Sequence, residues 1–179
     1  MEPDLQSEEY VDVVNEHDEL IRSMPLLEVR RIGPEVLAQN GEYLRGVCAF
    51  IKNGKGQLWI PRRCKYKKVL PLALDMSISG FVSAGETYDQ ALAREAMEET
   101  NIDVQRMPVK HLGLLRPRDG INFFTNVYEV ASDEEPEYNS QEFCESYWLH
   151  PQELLDMLSK EQSVKNVFVV AVKKFYHPV

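Results

Sequence analysis

The stretch GFVSAGETYDQALAREAMEETNI, Gly80 to Ile102, sets Glu95, Glu98 and Glu99 side by side in what reads as one short helix. Like charges at these spacings repel and weaken a helix. The sequence accepts that cost, which points to a positive partner at the same place. At about 100° per residue the three glutamates fall within roughly 100° of one another. Ala93, Ala96 and Met97 fall on the other side, and Leu92 lies nearer the acidic edge. One face is thus expected in the core and the other rich in carboxylate. Thr87 and Gln90 have the spacing of a capping box, so the helix should start near Thr87. It should stop near Asn101, a good residue for a left-handed C-cap.

Before this helix, "LDMSISGFV" reads as a short strand rising to Gly80. "RGVCAFIKNGKGQLWIPRR" is a hairpin around the turn Asn53-Gly54-Lys55-Gly56. An earlier hairpin is read in "YVDVVNEHDELIRS", within about residues 8–24, with its turn at Asn15-Glu16-His17-Asp18. After the helix, "VKHLGLLRP" and "INFFTNVYEVA" are strand-like and separated by Arg118-Asp119-Gly120. "SYWLHPQELLDMLSK" is a strand followed by a helix that starts at proline. The tail, about residues 162–176, reads as a buried helix despite its β-branched residues. The sum is an α+β chain, a mixed central sheet with flanking helices, organised as a single domain over 1–179.

The chain has 179 residues, enough for a core without staples, and a formal net charge of −9. So acidic a surface disfavours nucleic acid as a partner and calls for a local basic patch to hold an anion. Three cysteines, Cys48, Cys64 and Cys144, form no C-x-x-C pair. The start, MEPDLQSEEY, has no apolar signal core, and the longest apolar run is too short to span a membrane. A reduced, cytoplasmic compartment is expected, with no membrane partner. The histidines, His17, His111, His150 and His177, show no metal-ligand spacing.

Carboxylates clustered on one helix face suit a hard, oxygen-seeking cation such as Mg²⁺. Arg94 beside them can pair with a carboxylate and hold its orientation. The bland alternative is a solvated acidic face. The wider pattern decides between them. Gly80, Glu86, Arg94, Glu95, Glu98 and Glu99 are six fixed positions, and at roughly one in fifteen each chance supplies them about once in 10⁷ windows.

These residues resemble the signature of the Nudix hydrolases, G-x5-E-x7-R-E-U-x-E-E-x-G-U with U apolar. Ala96 and Ile102 fill U positions, and Asn101 replaces the last glycine. "LWIPRR", "PLALDMSISG" and "YWLHPQEL" also look like this family, from about Gly46 to Leu158. The resemblance implies a Nudix-type α/β/α sandwich and hydrolysis of a nucleoside diphosphate linked to another group. It implies Mg²⁺ or Mn²⁺ on Glu95, Glu98 and Glu99, with a backbone carbonyl of Ser79 or Gly80 as a further ligand. Glu86 would pair with Arg94 or touch the metal shell. The general base would be Glu98, or Glu142 or Glu145 in "SQEFCESYW"; the sequence leaves this open. The partner would be a small-molecule nucleotide, with a homodimer allowed.

The N-terminal stretch and "PLALDMSIS" also look like the Nudix branch that includes isopentenyl-diphosphate isomerase. That enzyme needs a Cys just before the signature and a His soon after it. No Cys or His lies between Lys65 and Lys110, so hydrolysis is expected and isomerisation is not. A non-catalytic binding module would be expected to lose signature glutamates, and all are present. Finally, "RRCKYKK" places Arg62, Arg63 and Lys65 just before the motif, together with Lys67 and Lys68. Arg62 or Arg63 is expected to grip the substrate's phosphates. Phe123, Phe124 and Tyr128 are expected in the core.

Overall fold

The computed structural model describes residues 9–176; most of the acidic start, and His177, lie outside them. β1 (Tyr10–Val14) and β2 (Leu20–Pro25) form an antiparallel hairpin. Its turn is built as the sequence suggests: the Asn15 side chain accepts from the amides of His17 and Glu19, and Asp18 takes a positive φ of 64°. Two short helices follow, α1 (Leu26–Ile32) and α2 (Pro34–Gln39). Neither is expected from the sequence reading. With the hairpin they bury Val11, Val13, Met24, Val29 and Leu37 in a small core of their own.

β3 (Arg45–Lys52) organises the main sheet. Val47, Ala49 and Ile51 point to one core cluster, Cys48 and Phe50 to the other, and all five are buried. That is period-two alternation in a strand covered on both faces. The start of β3 pairs antiparallel with β5 (Ile78–Phe81), matching Cys48 to Ser79 and Val47 to Gly80. Its end pairs with β4 (Leu58–Arg63). The strands split at Ser77, whose hydroxyl donates to the Trp59 carbonyl (2.5 Å) and accepts from the Ile51 amide (2.9 Å). A side chain thus closes the ladder where backbone partners run out.

On its other edge β3 runs parallel to β7 (Phe124–Ala131) along its whole length. β6 (Val109–Leu115) and β8 (Phe143–Leu149) complete the order β6-β7-β3-β4-β8. α3 (Tyr88–Thr100) covers the face with Val47, Ile51, Trp59 and Ile78. α4 (Pro151–Leu158) and α5 (Asn166–Tyr176) cover the face with Phe50, Leu58 and Ile60. The result is the mixed α/β/α sandwich that the sequence implies. Phe124 and Tyr128 are buried.

α3 starts and stops where its caps dictate. Thr87 Oγ1 accepts from the Gln90 amide, Gln90 Oε1 accepts from the Thr87 amide, and Asn101 sits in the left-handed region at φ 54°. Its orientation corrects the sequence reading. Met97, expected in the core, is 49% exposed, while Leu92 and Glu99 are buried. The inward stripe runs through Leu92, Ala96 and Glu99, so part of the acidic face turns inward, toward β5.

Candidate active site

The site forms where β5 meets the inward edge of α3. Ser79 donates its backbone N–H to Glu99 Oε2 at 2.8 Å. One residue on, a Cβ at Gly80 would collide with the Glu95 carboxylate, so glycine is what lets helix and strand approach this closely. Glu99 and Glu95 are therefore pressed against backbone rather than solvated. Burial pushes the Glu95 carboxyl up to about 7, against the pull of Arg94. Glu99 is raised well above its ordinary value, first by burial and then by the nearby Glu95 and Asp75 charges. Glu98, with 59% of its side chain exposed, is the open member of the three.

Arg94 ties these carboxylates to the preceding loop. Its Nε and Nη2 donate to the two oxygens of Glu86, at 2.8 and 3.0 Å. Its Nη1 reaches Glu95 at 2.6 Å and Glu98 at 3.5 Å, and Nη2 also donates to the Phe81 carbonyl. Glu86 accepts in addition from the Ser83 amide, and its carboxyl is held below its ordinary value mainly by the bond from Arg94. Of the two roles implied for Glu86, the structure shows the pairing with Arg94.

The N-terminal hairpin holds that loop from outside. Ala84 N–H donates to the Tyr10 carbonyl, Val11 bridges Ser83, and Gly85 N–H donates to the buried Asp12 carboxylate at 3.1 Å. Asp18 accepts from Arg45 (2.6 Å) and from the Tyr88 hydroxyl (3.1 Å), which fixes the hairpin turn beside the start of α3.

A second charged cluster adjoins the first. Asp75 is fully buried and accepts from Arg63 Nη1 (2.7 Å) and Lys165 Nζ (2.8 Å). Lys165 Nζ also lies 3.1 Å from Ser79 Oγ. Sequence reasoning singled out neither Asp75 nor Lys165. An acid inside the apolar run "PLALDMSIS" was the one available signal for Asp75. Lys165 lies 90 residues away, and nothing local marks it.

This cluster corrects the reading of the basic loop. Arg63 is buried, with its donors on Asp75 and the Val69 carbonyl, so it is a core cation and not a surface grip. Arg62 is spent on Glu161 (3.1 Å), the Leu72 carbonyl (2.7 Å) and Glu145 (3.6 Å). Lys65 lies over the Tyr66 ring. Glu142 pairs with Lys67, and Glu145 accepts from the Tyr147 hydroxyl at 2.6 Å. The two acids thus have partners along β4, β8 and the basic loop, whereas Glu98 shares Arg94 with Glu95.

Among the described residues, no three His, Cys, Asp or Glu side chains converge tightly enough to hold a metal ion. The Ser79 amide holds Glu99 to β5, and Arg94 Nη1 bonds both Glu95 and Glu98. The donor set nonetheless fits a hard divalent cation. It is all oxygen, it includes the buried Glu99 and the mostly covered Glu95, whose charges destabilise one another, and it borders the carbonyl-bearing backbone of Ser79 and Gly80.

The NUDIX domain family matches residues 42–169, most of the chain and all of the site except the hairpin. The chain belongs to the Nudix hydrolases. An uncharacterised Nudix hydrolase from Nostoc sp. is 39% identical, with 96% of this chain and 98% of that protein covered. A Nudix hydrolase from Deinococcus radiodurans is 36% identical over 95% of both chains. The crystal structure of DR0079 from Deinococcus radiodurans superposes with a TM-score of 0.82 at 34% identity, covering 94% of this chain and 99% of that one. Because these relatives match nearly end to end, the N-terminal hairpin and α5 lie within the shared length. A MutT protein from Methanosarcina mazei, at 20% identity and a TM-score of 0.57, shares the fold. This Nudix chain is accordingly a hydrolase of pyrophosphate-containing substrates.

Proposed function

We propose that this hydrolase cleaves the diphosphate linkage of nucleoside di- or triphosphates or related nucleotides, with Mg²⁺ or Mn²⁺ as cofactor. The observation that carries the reading is the packing of Glu95 and Glu99 against β5, where burial holds both carboxyls above their ordinary values despite the pull of Arg94 on Glu95. A divalent ion bound there would neutralise the diphosphate's charge and acidify a water.

The chain's own residues divide the remaining work. Glu95, Glu98 and Glu99, with the Ser79 and Gly80 carbonyls, would hold the ion. Arg94, itself braced by Glu86, orients Glu95. Glu98 is the exposed acid of the group and would accept a proton from water as its oxygen bonds to phosphorus and the anhydride P–O bond breaks. The partner in this reading is the small-molecule nucleotide. Nucleic acid and membrane have no role in it, and a homodimer would leave it unchanged. The proposed compartment is cytoplasmic.

A likeness to the isopentenyl-diphosphate isomerase branch would extend to sequence and not to chemistry, because no Cys or His lies between Lys65 and Lys110. The test is phosphate release across a nucleotide panel with Mg²⁺ or Mn²⁺, alongside Glu98→Gln. Removing a general base should lower kcat by about 10²–10⁴-fold, with circular dichroism unchanged. Full turnover in excess EDTA would overturn the metal requirement. Deuterium exchange from solvent into isopentenyl diphosphate, above a no-enzyme control, would revive isomerisation.

A further inference from the structure

We propose that Lys165 contacts a phosphate of the bound diphosphate, taking the part that the sequence suggested for Arg62 and Arg63. The inference rests on the diphosphate reading above. Three observations lead to it.

First, the neighbouring cations are already committed. Arg94 makes five contacts with Glu86, Glu95, Glu98 and the Phe81 carbonyl. Arg63 is buried on Asp75 and Val69, and Arg62 is held by Glu161, Glu145 and Leu72. Second, Lys165 is one residue removed from the carboxylates. Its Nζ touches Ser79 Oγ, and the Ser79 amide touches Glu99. Third, an ammonium has three donors. Among the described residues Lys165 Nζ has two acceptors, Asp75 Oδ2 and Ser79 Oγ. Asp75 is wholly buried, while the Lys165 side chain is a quarter exposed, so the lysine is the member of the pair that solvent reaches.

The segment that carries Lys165 is anchored twice. Glu161 holds Arg62 at one end, and Asp75 holds Lys165 at the other. The ammonium is thereby set beside the carboxylates without giving up its charge to them. A diphosphate bridging the acidic site would bring phosphate oxygens to this donor. A lysine suits the task as a compact point charge on a flexible stem.

The test is calorimetric titration of inorganic pyrophosphate in the presence of Ca²⁺, with wild type, Lys165→Met and Lys165→Arg. Wild type should bind, Lys165→Met about tenfold more weakly, and Lys165→Arg should recover most of the loss. In nucleotide turnover, Lys165→Met should raise KM about tenfold with a smaller change in kcat, as a lost ground-state contact does. Equal affinity of wild type and Lys165→Met would overturn the proposal. So would equal weakening by Met and Arg, which would mark a packing role, or failure of wild type to bind pyrophosphate. Removing the lysine also takes one of two cations from Asp75. If Lys165→Met does not fold, the same comparison is made between Asp75→Asn and Asp75→Asn/Lys165→Met. Calorimetry needs no turnover. Pyrophosphate binding that depends on Lys165, without hydrolysis of any nucleotide, would sink only the reaction reading. Hydrolysis with binding indifferent to Lys165 would sink only this one.

Discussion

Glu95 shows at the scale of one residue how the site trades stability for readiness. Its carboxyl is raised to about 7 in the fold, against about 4.3 for an unperturbed glutamate. The folded chain therefore holds that proton more tightly than the unfolded chain. The resulting stability is complete below about pH 4.3 and is lost as pH rises through 7. Thermal melts of metal-free wild type and Glu95→Gln should diverge in slope across this window, with the wild type declining more steeply. Added Mg²⁺ should raise the melting temperature of the wild type more at pH 8 than at pH 6, because the ion needs the deprotonated site. Parallel pH profiles for the two proteins would refute the buried-carboxyl account. The residue types here were legible in the sequence, since the spacing of Glu95, Glu98 and Glu99 already asks for a cation. The inward turn of Glu95 and Glu99 was not. Period alone placed Met97 inside and the acids outside, and only the docking of β5, with Gly80 as its point of close approach, draws those two in and leaves Glu98 in solvent.

Among the elements, those whose ends are set by neighbours in sequence were the most readable. The Thr87–Gln90 box and the Asn101 cap fix α3 through contacts no more than five residues apart, so they appear in sequence as plainly as in space. The short helices α1 and α2 were not foreseen, because they owe their burial to the hairpin and to Leu44 rather than to a long periodic pattern. The same hairpin has a job at the site: Asp12 accepts from both the Ser23 hydroxyl and the Gly85 amide. Asp12→Ala removes both acceptors and leaves the Gly85 amide and the Ser23 hydroxyl without this partner. That should cost about 1–3 kcal/mol and lower the melting temperature by several degrees. Hydrogen exchange should quicken at Gly85 while the amides of α4 and α5 stay protected. Uniform loss of protection would show that the hairpin supports the whole fold and not this loop in particular.

Across the whole molecule, the Asp75 cluster joins three distant parts of the chain: the end of β4, the approach to β5 and the lead-in to α5. Neither composition nor local pattern reveals such a junction, which is why a cation of the fold was read as a cation of the surface. Urea unfolding can separate the two roles. Arg63→Ala leaves a fully buried carboxylate short of a partner and should cost about 3–5 kcal/mol. Arg62→Ala, at a more accessible pair, should cost about 1 kcal/mol. Equal losses would remove the distinction. The parallel pairing of β3 with β7 has a further consequence, for synthesis. β4 and β5 can reach β3 soon after it leaves the ribosome, but residues 53–123 must be made before β7 can begin to cover the other edge. At about 5–20 residues per second that is a wait of several seconds. Through it, an apolar strand meant to be enclosed on both faces keeps one row of amides and carbonyls open, and the nascent chain is most exposed to faulty pairing or to chaperones in that interval.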